Sequence, residues 1–478
     1  MPLLPLLLAI LISTISAQAG AAASSPPALG TKANAITASP EAGGATASAA
    51  TGEVSASPAT GAASASAATS EVIGALVQSH EAETIADRRW LHRNAELSLR
   101  EHKTQAYLRE KLAAIPGVEM IEGDWGTGLV ARLSGARPGP LLAYRADIDA
   151  LPIAELTGLP FACTSIDTTG GRDLPVMHAC GHDLHAAVLL GTARVLSDLR
   201  ESMRGSVLFV IEPGEEVGAG AAMLLEAGLF DGERKPEAIF AMHDHSTIPY
   251  GQIAYCPGRS AANVDDFYIK VLGRGSHGAY PHRGVDPIVI ASEMVLAFQS
   301  IVSREVDAAR SAVLTVGQFH AGTKSNVIPD YAELNGTVRS LEPEVRTQMQ
   351  EAVLRTAKGI AAARGAPEPE ITYVLGTPSM YNDPKLVEET LPVLERTLGA
   401  ENVVRYEPGM GGEDFSEYQA RVPGFMFRLG VGGPGREAPT HTATFDPDER
   451  AIPLGMRLMA AVLLDRLERL ERLERTGS

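Results

Sequence analysis

The chain has 478 residues, is 45% hydrophobic and carries a formal net charge of −17. That length allows two or three domains around a large buried core. The acidic balance argues against nucleic acid, whose phosphates reward a basic surface, and against anionic membrane surfaces.

Residues Leu3 to Ile15 are apolar apart from Pro5, Ser13 and Thr14, and Ala17-Gln18-Ala19 matches an A-x-A cleavage site. Residues 1–19 read as a secretory signal peptide, shorter than the ~20 apolar residues of a spanning helix. The expectation is an exported protein, periplasmic or secreted. Residues 20–70 are mostly Ala, Ser, Thr, Gly and Pro, with only Lys32, Glu41 and Glu53 charged. Such a stretch buries too little apolar area to offset its ordering entropy and reads as a disordered linker.

Order is expected from Glu71. Val72 to Arg100 has helical spacing, Gly128 to Leu133 and Pro140 to Tyr144 read as strands, and Leu184 to Leu199 as a helix. Gly205 to Ile211 is a continuous apolar run suited to a buried central strand. Alternating strands and helices indicate an α/β domain with a sheet covered on both faces. The texture then changes. Asp265–Leu272 (strand), Pro287–Val302 (helix), Ser311–Gln318 and Tyr331–Val338 (strands), Glu344–Ala363 (helix) and Glu370–Leu375 (strand) make β-α-β-β-α-β, a ferredoxin-like unit. It interrupts the first domain. The boundaries are 71–262, an insertion at 263–376, and a second part at 377–478. The last helix runs from Ile452 to Arg475; its Leu at every third residue drifts around the helix, which reads as a solvated terminal helix rather than a coiled-coil seam.

The chemistry is concentrated in Met177-His178-Ala179-Cys180-Gly181-His182-Asp183-Leu184-His185. Thiolate plus neutral imidazole is a transition-metal donor set. Asp147 and Asp149, Glu215 and Glu216, and His243 each follow or end a predicted strand, where functional residues of α/β sheets gather. Adjacent carboxylates point apart, so one of Glu215 and Glu216 can ligate while the other serves as general base. Cys163 and Cys256 are the only pair free to form a disulfide if Cys180 ligates.

Tyr144-Arg145-Ala146-Asp147-Ile148-Asp149, the His178–His185 run, Pro213-Gly214-Glu215-Glu216, Gly275-Ser276-His277-Gly278, Asn326-Val327-Ile328-Pro329, Gly336-Thr337-Val338-Arg339 and Gly411-Gly412-Glu413-Asp414-Phe415 resemble the aminoacylase/carboxypeptidase metallopeptidases. The nearest branch holds hippurate hydrolases and plant hydrolases of auxin–amino acid conjugates. The resemblance runs from Glu71 to Leu470. It implies a mixed-sheet α/β metallo-exopeptidase domain whose ferredoxin-like α+β insertion is a lid and homodimer surface. It implies two divalent metal ions, Zn or Mn before Co or Ni, held by Cys180, His182, Glu216, His243 and His441. It implies Glu215 as general base, His277 polarising the scissile carbonyl, often in the partner subunit's site, and Asn326 and Arg339 on the substrate carboxylate. The expected reaction is hydrolysis of N-acyl or N-aroyl amino acids. The chain departs from the family at Glu212, where Gln is usual, and at Asp244-His245, where Asn or Val and then Trp are common; these bear on substrate choice. The competing readings are a dipeptidase or carboxypeptidase with the same chemistry, a thiol hydrolase using Cys180 with His182 or His185, and a silent binding protein for amino-acid conjugates.

Overall fold

A computed structural model describes residues 59–169 and 171–476. The expected signal peptide and residues 20–58 lie outside the described residues. Helix α1 (Ala59–Arg93) and helix α2 (His102–Ala113) precede strands β1 (Val118–Ile121), β2 (Leu129–Ser134) and β3 (Arg137–Asp147). Helix α3 (His182–Leu199), β4 (Arg204–Glu212), β5 (Ala238–Pro249) and β6 (Ile253–Tyr255) follow. Then come β7 (Asp265–Leu272), α4 (Pro287–Ser300), β8 (Ala312–Ala321), β9 (Tyr331–Ser340), α5 (Pro343–Ala363) and β10 (Glu370–Leu375). Helix α6 (Pro384–Leu398), β11 (Val403–Arg405), β12 (Gly424–Gly432) and α7 (Ala451–Thr476) complete the main elements.

The larger sheet has eight strands in the order β1-β2-β4-β3-β5-β12-β6-β11. Its centre, β4-β3-β5-β12, is parallel, whereas β1, β2 and β6 add antiparallel pairings. The central strands are buried on both faces because successive side chains point oppositely. Leu142, Tyr144, Phe209, Phe240 and Phe427 pack with Leu189, Met456 and Leu463 of α3 and α7. Ala143, Leu208, Val210, Ile239 and Met426 pack on the other face with Leu224, Phe415 and Tyr418.

The insertion has its own antiparallel sheet in the order β8-β9-β7-β10, the arrangement of a ferredoxin-like unit. Strand β7 alternates buried and half-buried residues. Its inner face (Phe267, Ile269, Val271) packs against Met294 and Phe298 of α4 and Met349 and Val353 of α5. The start of α4 is fixed by Asp286, whose side chain accepts the N–H groups of Ile288 and Val289, with Pro287 in the first turn.

Three expectations need correction. The first helix begins at Ala59, inside the stretch read as linker, because an Ala-rich segment has high helix propensity. It ends at Arg93 rather than Arg100. Asn94 turns its amide back onto the Trp90 carbonyl at 2.8 Å, and Leu99 adopts φ 62°. The terminal helix is solvated only near its end. Met456, Met459, Leu463 and Leu467 are buried in the main core.

Candidate active site

Four parallel strands deliver their carboxyl ends to one edge of the sheet. Asp147 ends β3, with Asp149 two residues on; Glu212 ends β4 and leads into a tight turn carrying Glu215 and Glu216; His243 and Asp244 lie in β5. His441 sits beyond β12 and is anchored by its own N–H, which donates to the Ala179 carbonyl at 2.7 Å. Its φ of 63° is unusual for a residue with a Cβ. Helix α3 starts at His182, two residues earlier than the periodicity predicts, so His182 and His185 occupy its first turn.

These elements bring all five expected ligands together. Cys180 Sγ lies 3.2 Å from His441 Nε2 and 3.7 Å from His243 Nε2. Glu216 Oε1 is 3.5 Å from His441 Nε2 and 3.9 Å from His182 Nε2. Ligand atoms of Cys180, His182 and Glu216 all fall within 4.8 Å of one another, and those of Asp147, His182, His185 and His243 form a second such group. His182 Nδ1 faces Asp149 Oδ1 at 3.1 Å, which leaves Nε2 as the free lone pair. His243 Nδ1 donates to the Asp244 carbonyl at 2.8 Å, again leaving Nε2 free. His185 is held differently, between Asp147 (2.6 Å) and Asp244 (2.9 Å). Burial opposes its protonation, but Asp147 and then Asp244 raise it to about 9. His178, in the same motif, has no hydrogen-bond partner on either nitrogen among the described residues, and burial pushes it down to about 4.

The donors fit a cation. His182 Nε2 and Glu216 Oε1 are buried without a hydrogen bond among the described residues, an arrangement that costs energy unless something compensates it. Burial and then the Glu216 charge push the Cys180 thiol well up. An anionic neighbour makes a poor thiol nucleophile, whereas a bound cation reverses that field and favours the thiolate.

Beside the donors stands Glu215. Burial first, then the charges of Glu413 and Glu216, hold its carboxyl well above the usual range. A carboxyl held up in this way is suited to taking and returning a proton. The surrounding carboxylates are organised by Arg145, which is buried beneath the site. It donates to Glu212 at 2.9 and 2.8 Å, to Asp147 at 2.6 Å and to Asp414 at 3.0 Å, and lies 3.1 Å from Glu413. Glu212 is thus the structural partner of Arg145.

Two site-supporting residues carry no signal in the sequence. Ser98 donates to Asp149 Oδ2 at 2.6 Å, and the same oxygen accepts the Glu216 N–H at 3.1 Å. Glu101, fully buried, accepts the Gly214 N–H at 2.9 Å. Both support the turn that carries Glu215 and Glu216 from the loop between α1 and α2, Ser98 through the Asp149 carboxylate and Glu101 through a backbone amide, rather than through a motif.

The insertion residues are placed as follows. Arg339 is half-buried and reaches the Gly411–Gly412 loop, since a Cβ on Gly412 would stand 3.4 Å from its Nη1. Desolvation lowers its pKa, and its Nε donates to Thr337 at 3.1 Å. His277 is exposed, with Nδ1 accepting the Ala279 N–H. Asn326 neighbours it through its carbonyl, which accepts the Gly278 N–H at 2.8 Å. Neither meets the donor cluster among the described residues. His245 points its Nδ1 at the Thr247 hydroxyl, 2.9 Å away, rather than at the cluster. All three cysteines are unpaired, so no Cys163–Cys256 disulfide is formed.

The model of peptidase family M20/M25/M40 matches residues 143–465. The chain is 39% identical over 377 residues to the N-acetylcysteine deacetylase of Bacillus subtilis, covering 78% of this chain and 94% of that protein. It is 37% identical over 372 residues to the N-acetyldiaminopimelate deacetylase of Anoxybacillus flavithermus, covering 78% and 94%. Among solved structures it is similar to a dinuclear metal-binding peptidase of family M20 from Bacillus subtilis. That likeness has TM-score 0.70 and 36% identity, and covers 82% of this chain and 99% of that one.

Proposed function

The chain belongs to peptidase family M20/M25/M40 and is a metal-dependent amidohydrolase, and from that premise we propose that it hydrolyses N-acyl amino acids to a carboxylic acid and a free amino acid. The observation that carries the reading is the buried donor group Cys180, His182 and Glu216 with Glu215 beside it, outside the donor set. The deacetylase names of two relatives support an N-acyl substrate.

Cys180, His182, Glu216, His243 and His441 would hold two divalent ions, with Zn or Mn as the proposed metals, which when bound would supply Lewis acidity for amide hydrolysis. Glu215 takes a proton from the attacking water and delivers it to the leaving amine nitrogen. Its raised pKa suits both transfers. Asp149 holds the His182 ring while Ser98 holds Asp149. Arg339, with Asn326, receives the substrate carboxylate; a guanidinium presents two parallel N–H groups to such a partner. His277 polarises the carbonyl oxygen.

His277 stands outside the donor cluster of its own subunit, which favours its action on a partner's site. The insertion carries exposed apolar residues, Leu296 (74%) and Val289 (55%) on α4, suited to burial against a second copy. We therefore include a homodimer through the insertion, together with export directed by residues 1–19.

The test is hydrolysis of N-acetyl amino acids, hippurate, indole-acetyl conjugates and dipeptides by the purified protein, as isolated, after chelation, and with Zn, Mn or Co restored. Cleavage of the acyl amino acids that is lost on chelation and restored by metal supports the proposal. Exclusive cleavage of dipeptides would replace the substrate class.

A further inference from the structure

We propose that Asp244 is an additional metal donor of this site, acting through Oδ2; this rests on the functional reading above. Asp244 is almost fully buried, at 1% exposure. One oxygen is accounted for, since Oδ1 lies 2.9 Å from His185 Nε2. The other, Oδ2, is buried with no hydrogen bond among the described residues. A half-satisfied buried carboxylate is unfavourable unless a cation compensates it.

The position of the carboxylate supports this role. It lies against the Cα of Gly181, the residue between Cys180 and His182. A Cβ there would stand 2.2 Å from Oδ1 and 2.8 Å from Oδ2. Oδ1 is 3.5 Å from His243 Nδ1, and the Asp244 backbone carbonyl fixes that imidazole. Asp244 therefore touches the ligand-bearing segments of both α3 and β5. The set then holds a thiolate and two carboxylates with three imidazoles. The added oxygen donor shifts preference toward harder cations such as Mn relative to Zn.

The test compares wild type with Asp244→Asn, which keeps shape and a hydrogen bond to His185, and with Asp244→Val as a second variant. Affinities for Zn and Mn are measured by competition with a chromophoric chelator, the Co-substituted proteins are examined by visible spectroscopy, and thermal unfolding of the metal-free proteins is recorded. The expected result for Asp244→Asn is at least a tenfold loss of affinity, larger for Mn than for Zn. It is accompanied by changed Co ligand-field bands and an unfolding temperature near wild type. Unchanged affinity and spectrum overturn the proposal. Weakened affinity with unchanged bands also overturns it, because Asp244 then acts only by positioning His185. If Asp244→Asn does not fold, Asp244→Val is read in the same way. Failure of the wild type to bind metal at all would instead overturn the functional reading.

Discussion

Glu101 accepts the backbone N–H of Gly214 at 2.9 Å across 113 residues of sequence. The same oxygen takes the Leu99 N–H at 2.8 Å, and the other accepts the Thr127 hydroxyl. A carboxylate with no contact to the donor cluster thus holds the turn that carries Glu215.

Burial, with the Asp149 charge adding to it, raises Glu101 from 4.5 to about 7. A carboxyl group raised on folding contributes stability that is full below its unfolded pKa and lost as pH rises through its folded one. The stability of wild type relative to Glu101→Gln should therefore fall between pH 4.5 and 7. Urea unfolding across that range checks it, and parallel curves would refute the assignment.

Glu215→Gln should lower kcat by roughly 10²–10⁴ while metal content stays at the wild-type level. Elemental analysis alongside single-turnover kinetics decides. Loss of metal would move Glu215 into the ligand shell.

Gly181→Ala places a Cβ 2.2 Å from Asp244 at a backbone φ of +84°. Each effect alone costs on the order of 1 kcal/mol or more. The expected outcome is a lowered Tm together with lost metal, because the turn aims Cys180 and His182. A variant with wild-type Tm and metal content would show that the turn tolerates a side chain.

Arg145→Met leaves Glu212, Asp147, Glu413 and Asp414 buried around an apolar side chain. Removing one partner of a buried ion pair typically costs about 3–5 kcal/mol. Chemical denaturation should show a loss of that size at neutral pH. The loss should shrink on acidification, as these carboxylates take up protons.

Mixing inactive His277→Ala and Glu215→Gln proteins under conditions that exchange subunits should restore part of the wild-type rate. The mixed dimer then has one site containing both Glu215 and the partner's His277. A mixture as inactive as its components would place His277 in its own subunit's site or outside catalysis.

The insertion was legible almost residue by residue because its signals are local. Strand Asp265–Leu272 alternates along its whole length, Asp286 and Pro287 mark the start of α4, and strand Glu370–Leu375 is bounded as read. The residues that meet at the sheet edge were visible in part because Cys180, His182 and the Glu215-Glu216 pair sit in short motifs. Short edge strands such as Val403–Arg405 were not. Their three residues pair with another short strand and carry too little pattern to register. The role of Asp244 was also hidden, since a buried clamp on His185 and an exposed pocket residue look alike in sequence. The same holds for Ser98 and Glu101, whose partners are a remote carboxylate and a backbone amide.

Asp147, Cys180, Glu216, His243 and His441 come from both sides of the ferredoxin-like insertion, and the last of them donates its backbone N–H to the Ala179 carbonyl. On the proposed ligand set, a chain still emerging from the ribosome, or still unfolded, would have no reactive centre, however complete its Cys-Gly-His motif. With His441 in the proposed ligand set, activity would begin only when residue 441 closes onto residue 179, so the reaction itself would report that folding has finished.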